Sequence, residues 1–153
     1  MTGLSRRAAL CSLVGGGCAL ALGCGGEDAP EAGLGACVPG PRDERAGWVE
    51  VPLADYPALR ETGGSAAVER PESFLNAVVF HSSPGCYGAV WRVCTHGACT
   101  VDYAPEAHRL ECPCHGSRFS EEGEVLRGPA LRPLFAYDVA REGDSLFLRR
   151  RSA

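Results

Sequence analysis

Two short cysteine–histidine segments decide how the sequence is interpreted: CTHGAC at Cys94–Cys99 and CPCHGS at Cys112–Ser117. In the second segment the two cysteines stand one residue apart, and a histidine follows directly. Zinc sites usually space paired cysteines by two to four residues, so that both sulfurs can reach one ion. The tighter spacing here indicates that one of the two thiols has another role.

One cysteine and one histidine from each segment give four candidate ligands, and fifteen residues separate the two sets. A pair of thiolates can hold one iron and a pair of neutral imidazoles a second, so four such side chains suit a site with two metal positions. The extra cysteine of each segment is then free to cross-link the two loops. The candidate ligands are Cys94, His96, Cys112 and His115, and the extra cysteines are Cys99 and Cys114.

Two simpler interpretations stay open on the residues alone. A single zinc ion could bind the same two thiolates and two imidazoles. Alternatively, the cysteines could form disulfides only, but this framework would give the histidine of each segment no role. His81 and His108 lie outside both segments, in turn-like or strand-edge contexts, and are expected to be surface or structural side chains.

The two segments match the pattern C-T-H-x-x-C followed by C-P-C-H-G-S, and with them the chain resembles the Rieske iron–sulfur proteins. The resemblance covers about residues 46–150, including the stretches GWVEVPLAD and RFSEEGEVLRGPALRPL. Within the family it is similar to the iron–sulfur subunits of quinol–cytochrome c reductases. Ala98 departs from that class, whose quinol-oxidising members usually have Gly at this position.

This resemblance implies one 2Fe–2S cluster, with Cys94 and Cys112 on one iron and His96 and His115 on the other. It implies a disulfide between Cys99 and Cys114. It also implies residues that tune the cluster. Ser117 would donate a hydrogen bond to a bridging sulfide. Phe119 stands where high-potential members have a Tyr whose hydroxyl donates to the sulfur of the first ligand, Cys94. Gly128 and Pro129 would belong to a loop that covers the cluster.

The rest of the domain predicts short strands separated by turn residues such as Gly63-Gly64 and Gly143-Asp144. No segment has the length and period of an amphipathic helix, and one helical turn is expected over 55–60. We therefore predict an all-β fold, a Rieske-like antiparallel β-sandwich with a small cluster-binding subdomain, about 90–130, formed by two loops. The predicted strands are Trp48–Leu53, Ala66–Glu69, Leu75–Phe80, Tyr87–Val93, Leu134–Ala140 and Ser145–Arg149.

The N-terminal segment predicts export. Arg6 and Arg7 precede an uncharged run that is short for a membrane span, so residues 1–23 are interpreted as a twin-arginine-type signal. The following Cys24 resembles the lipidated residue of a bacterial lipoprotein box. The alternatives to lipidation are an uncleaved anchor and simple cleavage to a soluble form. Residues 24–45 are interpreted as a flexible tether, and residues 46–150 as the Rieske domain.

Two further cysteines, Cys37 and Cys86, are expected to form a second bridge, which would join the tether to the loop before the strand that leads to the first segment. Cys11 and Cys18 fall in the signal. The net charge of −4 does not suit a nucleic-acid partner, because such proteins usually carry a basic face. The expected protein lies on the periplasmic side of a bacterial membrane, tethered there.

The expected activity is one-electron transfer as a subunit of an oxidoreductase rather than as a free-standing enzyme. The preferred hypothesis has the cluster accept electrons from quinol and pass them to a cytochrome of b or c type. The alternatives are an independent periplasmic carrier, a small subunit of another exported oxidoreductase, and a non-redox binding module stapled by its metal. A ferredoxin for a ring-hydroxylating oxygenase fits less well, because those proteins lack the extra cysteine pair.

Overall fold

The computed structural model describes residues 47–151, and within them the chain forms ten strands in three antiparallel sheets. The all-β, antiparallel prediction is confirmed. Within the described residues no helix has the length and hydropathy of a membrane span. The strands are β1 (Val49–Pro52), β2 (Ser65–Arg70), β3 (Leu75–Ser83), β4 (Cys86–Trp91), β5 (Asp102–Ala104), β6 (Arg109–Glu111), β7 (Arg118–Ser120), β8 (Val125–Arg127), β9 (Tyr137–Glu142) and β10 (Ser145–Arg150).

Two three-stranded sheets form a base, with the strand orders β1-β10-β9 and β2-β3-β4. Inward and outward residues alternate in β10, where Leu146 and Leu148 are fully buried between more exposed neighbours, whereas β3 and β4 are buried along most of their length. These leucines pack with Val51, Val68 and Val79 in one apolar core. Short β-like runs bounded by turn residues are the reason that the base strands were predicted to within a few residues.

The base contains one close approach that requires glycine. A Cβ on Gly88 would lie 2.3 Å from the Phe80 ring across the β3–β4 pair. The same ring stacks on Tyr103 of β5, with centroids 4.4 Å apart. The missing side chain of Gly88 therefore leaves room for the aromatic contact that joins the base to the third sheet.

The third sheet, β5-β6-β7-β8, is the part that the sequence prediction omitted. It lies in the chain between β4 and β9, and its inward residues Tyr103, Leu110 and Phe119 are paired across neighbouring strands. In β5, β6 and β7 the middle residue is buried, and its neighbours are half-buried or exposed. The cluster-binding subdomain is thus two loops mounted on a small sheet, and not two loops alone.

Several smaller expectations need correction. The predicted strand 134–140 begins only at Tyr137, because Phe135 and Ala136 instead contact β4 through one hydrogen bond and one isolated bridge. The helical turn is a 3₁₀ turn over Pro57–Arg60. The predicted signal, the tether and the cysteines Cys11, Cys18, Cys24 and Cys37 lie outside the described residues.

His81 is not in a turn but inside β3, and it is buried. Its Nε2 accepts a hydrogen bond from the Gly85 backbone N–H at 3.2 Å, and its ring stacks on Tyr87 with centroids 4.3 Å apart. These contacts give His81 a structural role. Cys86, at the start of β4, is disulfide-bonded, and its predicted partner Cys37 lies outside the described residues.

Candidate iron–sulfur site

The first ligand loop follows β4 and is closed by its own backbone. Val93 and Thr100 form an antiparallel bridge, and the Cys94 N–H donates to the Cys99 carbonyl at 2.8 Å. The Thr95 hydroxyl donates to the Arg132 carbonyl at 2.6 Å, which ties this loop to the segment that follows β8. The loop therefore has a fixed shape in which Cys94 faces inward.

The second ligand loop joins β6 to β7, two neighbouring strands. The Cys112 N–H donates to the Ser117 carbonyl at 2.8 Å, and the Gly116 N–H donates to the Cys112 carbonyl at 3.0 Å. Gly116 has φ +74°, in the left-handed region that favours glycine. The Gly of C-P-C-H-G-S thus turns the chain sharply enough to bring the loop back to β7.

The two loops bring the four candidate ligands into two kinds of environment. Cys94 and Cys112 are buried, whereas His96 and His115 are exposed. The two imidazole rings lie with their centroids 4.8 Å apart and their planes 81° apart. The sequence-predicted residues therefore form one site, with its sulfur donors inside and its nitrogen donors at the surface.

A disulfide joins the loops. Cys99 is bonded to Cys114, with Cα atoms 6.5 Å apart, and this is the pair that the family resemblance implied. Among the described cysteines, the free thiols are Cys94 and Cys112. The tight Cys112–Cys114 spacing is thereby explained, since one thiol turns inward while the next bridges to the other loop.

Backbone N–H groups converge on both thiols and lower both pKa values, against burial, which raises both. Burial alone would raise the pKa of Cys94, but hydrogen bonds from the backbone of His96 and then from the Cys112 thiol bring it below its ordinary value. Burial raises the pKa of Cys112, and the neighbouring Cys94 adds to that rise. The thiolate form is therefore favoured at Cys94 first.

The predicted tuning residues surround these sulfurs. Ser117 is fully buried, and its hydroxyl accepts the Ala130 N–H at 3.0 Å and also hydrogen-bonds Cys94. Phe119 is fully buried in the apolar cluster that contains both free thiols. The Gly128–Pro129 peptide is cis, and the segment that it begins runs past Ser117. The segment that contains Pro129 and Ala130 is thus held to the second ligand loop through Ser117.

Sequence reasoning missed a buried polar group beside the site. The Tyr103 hydroxyl donates to Glu121 Oε1 at 2.6 Å, and His108 Nδ1 lies 3.2 Å from the same oxygen. Glu121 Oε2 is buried without a partner. Pairing β5 and β6 with the turn after β7 creates this contact, and no local pattern in the sequence indicates it.

The donor set suits a two-iron cluster better than a single ion. Within residues 47–151 no three His, Cys, Asp or Glu side chains converge on one ion-sized point. A Rieske cluster needs no such point, because each of its irons takes only two protein ligands. Two buried sulfurs that receive N–H groups, with two exposed imidazoles beside them, fit that division of ligands.

Comparison with known families decides the assignment. The model of the Rieske [2Fe-2S] domain matches residues 49–138. The chain belongs to the Rieske family. A Rieske domain carries one 2Fe–2S cluster, so the cofactor prediction is confirmed.

Three relatives illustrate the extent of the likeness. The Rieske chain is 31% identical to the cyanobacterial plasma membrane Rieske protein PetC3 from Synechocystis PCC 6803, covering 66% of this chain and 98% of that one with a TM-score of 0.53. It is 37% identical over 71 residues to the cytochrome b6-f complex iron-sulfur subunit of Chlorobaculum thiosulfatiphilum, and 44% identical over 63 residues to YhfW of Bacillus subtilis (strain 168).

The matched regions of the last two relatives are only parts of longer proteins. The alignments cover 46% and 41% of this chain, but 39% of the Chlorobaculum subunit and 12% of YhfW. The Rieske fold and its relation to cytochrome b6-f iron–sulfur subunits are therefore established. The activity and partners of the whole relatives are matters for proposal.

Proposed function

We propose that Cys94 and Cys112 ligate the buried iron of the cluster and that His96 and His115 ligate the outer one. The burial of both thiols and the exposure of both imidazoles support this division. The cluster supplies one-electron chemistry when bound. The chain would hold it with these four side chains and donate backbone N–H groups to the two cysteine sulfurs.

The protein transfers single electrons between a quinol and a cytochrome. The observation that carries this proposal is the pair of exposed imidazoles, His96 and His115, which contrasts with the two buried ligand cysteines. An exposed imidazole can accept a hydrogen bond from a quinol hydroxyl, and it is the side chain best suited to take up a proton near neutral pH. The relation to cytochrome b6-f iron–sulfur subunits supports a cytochrome as acceptor.

The protein is exported and tethered to the periplasmic side of a membrane. Residues 1–23 act as a twin-arginine-type signal, Cys24 is lipidated, and residues 24–45 form the tether. The name of the similar plasma membrane Rieske protein supports a membrane location. Replacing Cys24 by Ser would then move the protein from the membrane fraction to the soluble fraction, whereas retention of residues 1–10 in the mature protein would favour an uncleaved anchor.

An independent periplasmic carrier, or a small subunit of another exported oxidoreductase, is the second candidate. The lipoprotein-like box at Cys24 favours this second candidate, because the reductase subunits that the chain resembles usually keep a membrane-spanning anchor. The two candidates differ in their donor. Only the first requires that quinol reduce the cluster directly.

The test combines a spectrum with a reaction. Electron paramagnetic resonance of the reduced, purified protein should give the low average g value expected of mixed thiolate and imidazole ligation. Stopped-flow mixing with a menaquinol analogue should then reduce the cluster, and His115→Ser should abolish both signals. A Rieske spectrum without reduction by the quinol analogue would support the independent carrier over the quinol-oxidising subunit. If the purified protein contained zinc in place of iron, the metal would be structural and the chain a non-redox binding module.

A further inference from the structure

A second approach to the cluster lies on the outer face of the β5–β8 sheet. A cleft of about 470 Å³ opens there, and Cys112, Pro113 and Gly116 of the second ligand loop line one side of it. The exposed imidazoles belong to the tip of the loops, whereas this cleft reaches the loop from the cysteine side. The buried end of the ligand set is therefore close to solvent at a second place.

The floor of the cleft is an ordered row of charges. Asp102 is paired with Glu111, Glu111 with Arg118, and Arg118 with Arg127 across four successive strands. Side chains of paired residues point to the same face, and neighbouring strands are about 4.8 Å apart. The row therefore runs from acid to base over about 14 Å, directly beside the loop that begins at Cys112.

The charged groups in the middle of the row are ion-paired, and those at its two ends are not. Glu111 Oε1 lies 2.6 Å from Arg109 and 3.2 Å from Arg118, so this carboxylate is shared by two guanidinium groups. Asp102 and Arg127 are exposed, and within residues 47–151 neither has a hydrogen bond or ion pair from its side chain. The cleft thus presents one free negative charge at β5 and one free positive charge at β8.

We propose that this cleft docks a redox protein that presents a carboxylate to Arg127 and a cationic side chain to Asp102, and that electrons pass through the Cys112 side of the cluster. This inference rests on the proposed electron-transfer function. A two-ended charge pattern fixes the orientation of a partner more strictly than a single charge does, and it accelerates encounter. A carrier with two access faces can hold its donor and its acceptor at different places.

Small redox complexes test the two ends separately. Hexacyanoferrate(III) takes one electron from the reduced cluster and becomes hexacyanoferrate(II), while hexaammineruthenium(II) gives one electron to the oxidised cluster and becomes hexaammineruthenium(III); neither needs a proton. Arg127→Gln should slow the anionic reagent roughly threefold at low ionic strength and should not slow the cationic one. Asp102→Asn should do the reverse. Both effects should fade in 1 M salt, where the Debye length is about 3 Å.

The matched control is Arg132→Gln, which removes the same charge near the first ligand loop, where the Arg132 carbonyl accepts from Thr95. If Arg132→Gln slows the anionic reagent as much as Arg127→Gln does, access is through the imidazole tip and the proposal is wrong. Unchanged rates in Arg127→Gln would also overturn it. Equal reduction potentials in all three variants exclude a change in driving force.

Binding gives a readout that does not depend on electron transfer. Hexacyanocobaltate(III), a redox-inert trianion, should bind more weakly to Arg127→Gln than to the unmodified protein by titration calorimetry, and more tightly to Glu111→Gln, which releases Arg109 and Arg118. Equal affinities for all variants would contradict the cleft as an anion site. Failure of the proposed function is distinguishable, because it would appear as a missing Rieske spectrum while the calorimetric result could still be obtained.

Discussion

The Tyr103 hydroxyl donates to Glu121 Oε1 at 2.6 Å in a site where both side chains are buried. Burial, and next the hydrogen bond to Glu121, raise the pKa of Tyr103 well above its ordinary value of 10.0. The neutral phenol is therefore favoured in the folded protein. The Glu121 carboxyl group beside it is buried in the same subdomain.

The first prediction concerns alkaline pH. An unfolded tyrosine ionises near pH 10, whereas folded Tyr103 ionises at higher pH. Its contribution to stability is complete below about pH 10 and is lost as the pH rises above that value. Glu121→Gln should bring the phenolate transition of Tyr103 to lower pH, as followed by phenolate absorbance. Comparison with Tyr103→Phe assigns the transition, and an unchanged titration in Glu121→Gln would show that the carboxylate does not hold the phenol neutral.

The second prediction concerns the ligands. His96→Ser or His115→Ser should remove the visible absorbance and the low-g signal of the cluster, because each imidazole is one of only two protein ligands to its iron. His108→Gln is the matched control, since that ring is also exposed but lies beside Glu121. Its cluster spectrum should be unchanged. A normal spectrum in His115→Ser would remove this residue from the ligand set.

The third prediction concerns the disulfide between Cys99 and Cys114. The double variant to Ser should lose about 2–4 kcal/mol of stability, since closing a loop of this length restricts the unfolded chain. The loss should fall mainly on the cluster loops, because the bridge lies wholly within them. Hydrogen exchange would show it as faster exchange near Cys94 and Cys112, with β1, β9 and β10 little changed. Equal acceleration in the base strands would argue that the bridge supports the whole domain.

The fourth prediction concerns the reduction potential. Hydrogen bonds to cluster sulfurs raise the potential, because they stabilise the more negative reduced state. Phe119 is fully buried in the apolar cluster of both free thiols and has no donor, so the potential should lie within about −150 to +300 mV but below the upper end. Phe119→Tyr should raise it and Ser117→Ala should lower it, as measured by protein-film voltammetry. An unmoved potential in Phe119→Tyr would mean that the new hydroxyl does not reach a sulfur.

How far the sequence reveals the structure differs between the two halves of the domain. Strands such as β3 and β10 are six to nine residues long, so each is visible as a β-like run between turn residues, and the two cysteine–histidine segments carry the site. Each strand of the third sheet has only three residues, too few to show a period of two. The pairing of Tyr103 with Glu121 spans eighteen positions and depends on that sheet, so no local signal predicts it.

The chain enters and leaves the cluster-binding sheet at one place on the base. Trp91 of β4 donates its backbone N–H to the Phe135 carbonyl at 2.6 Å, and Val90 is bridged to Ala136. These two contacts therefore hold both ends of the intervening segment side by side on the base. We therefore expect that this segment can be exchanged for the corresponding part of another Rieske chain with the register of the base strands unchanged, provided that the contact of Phe80 with Tyr103 is kept.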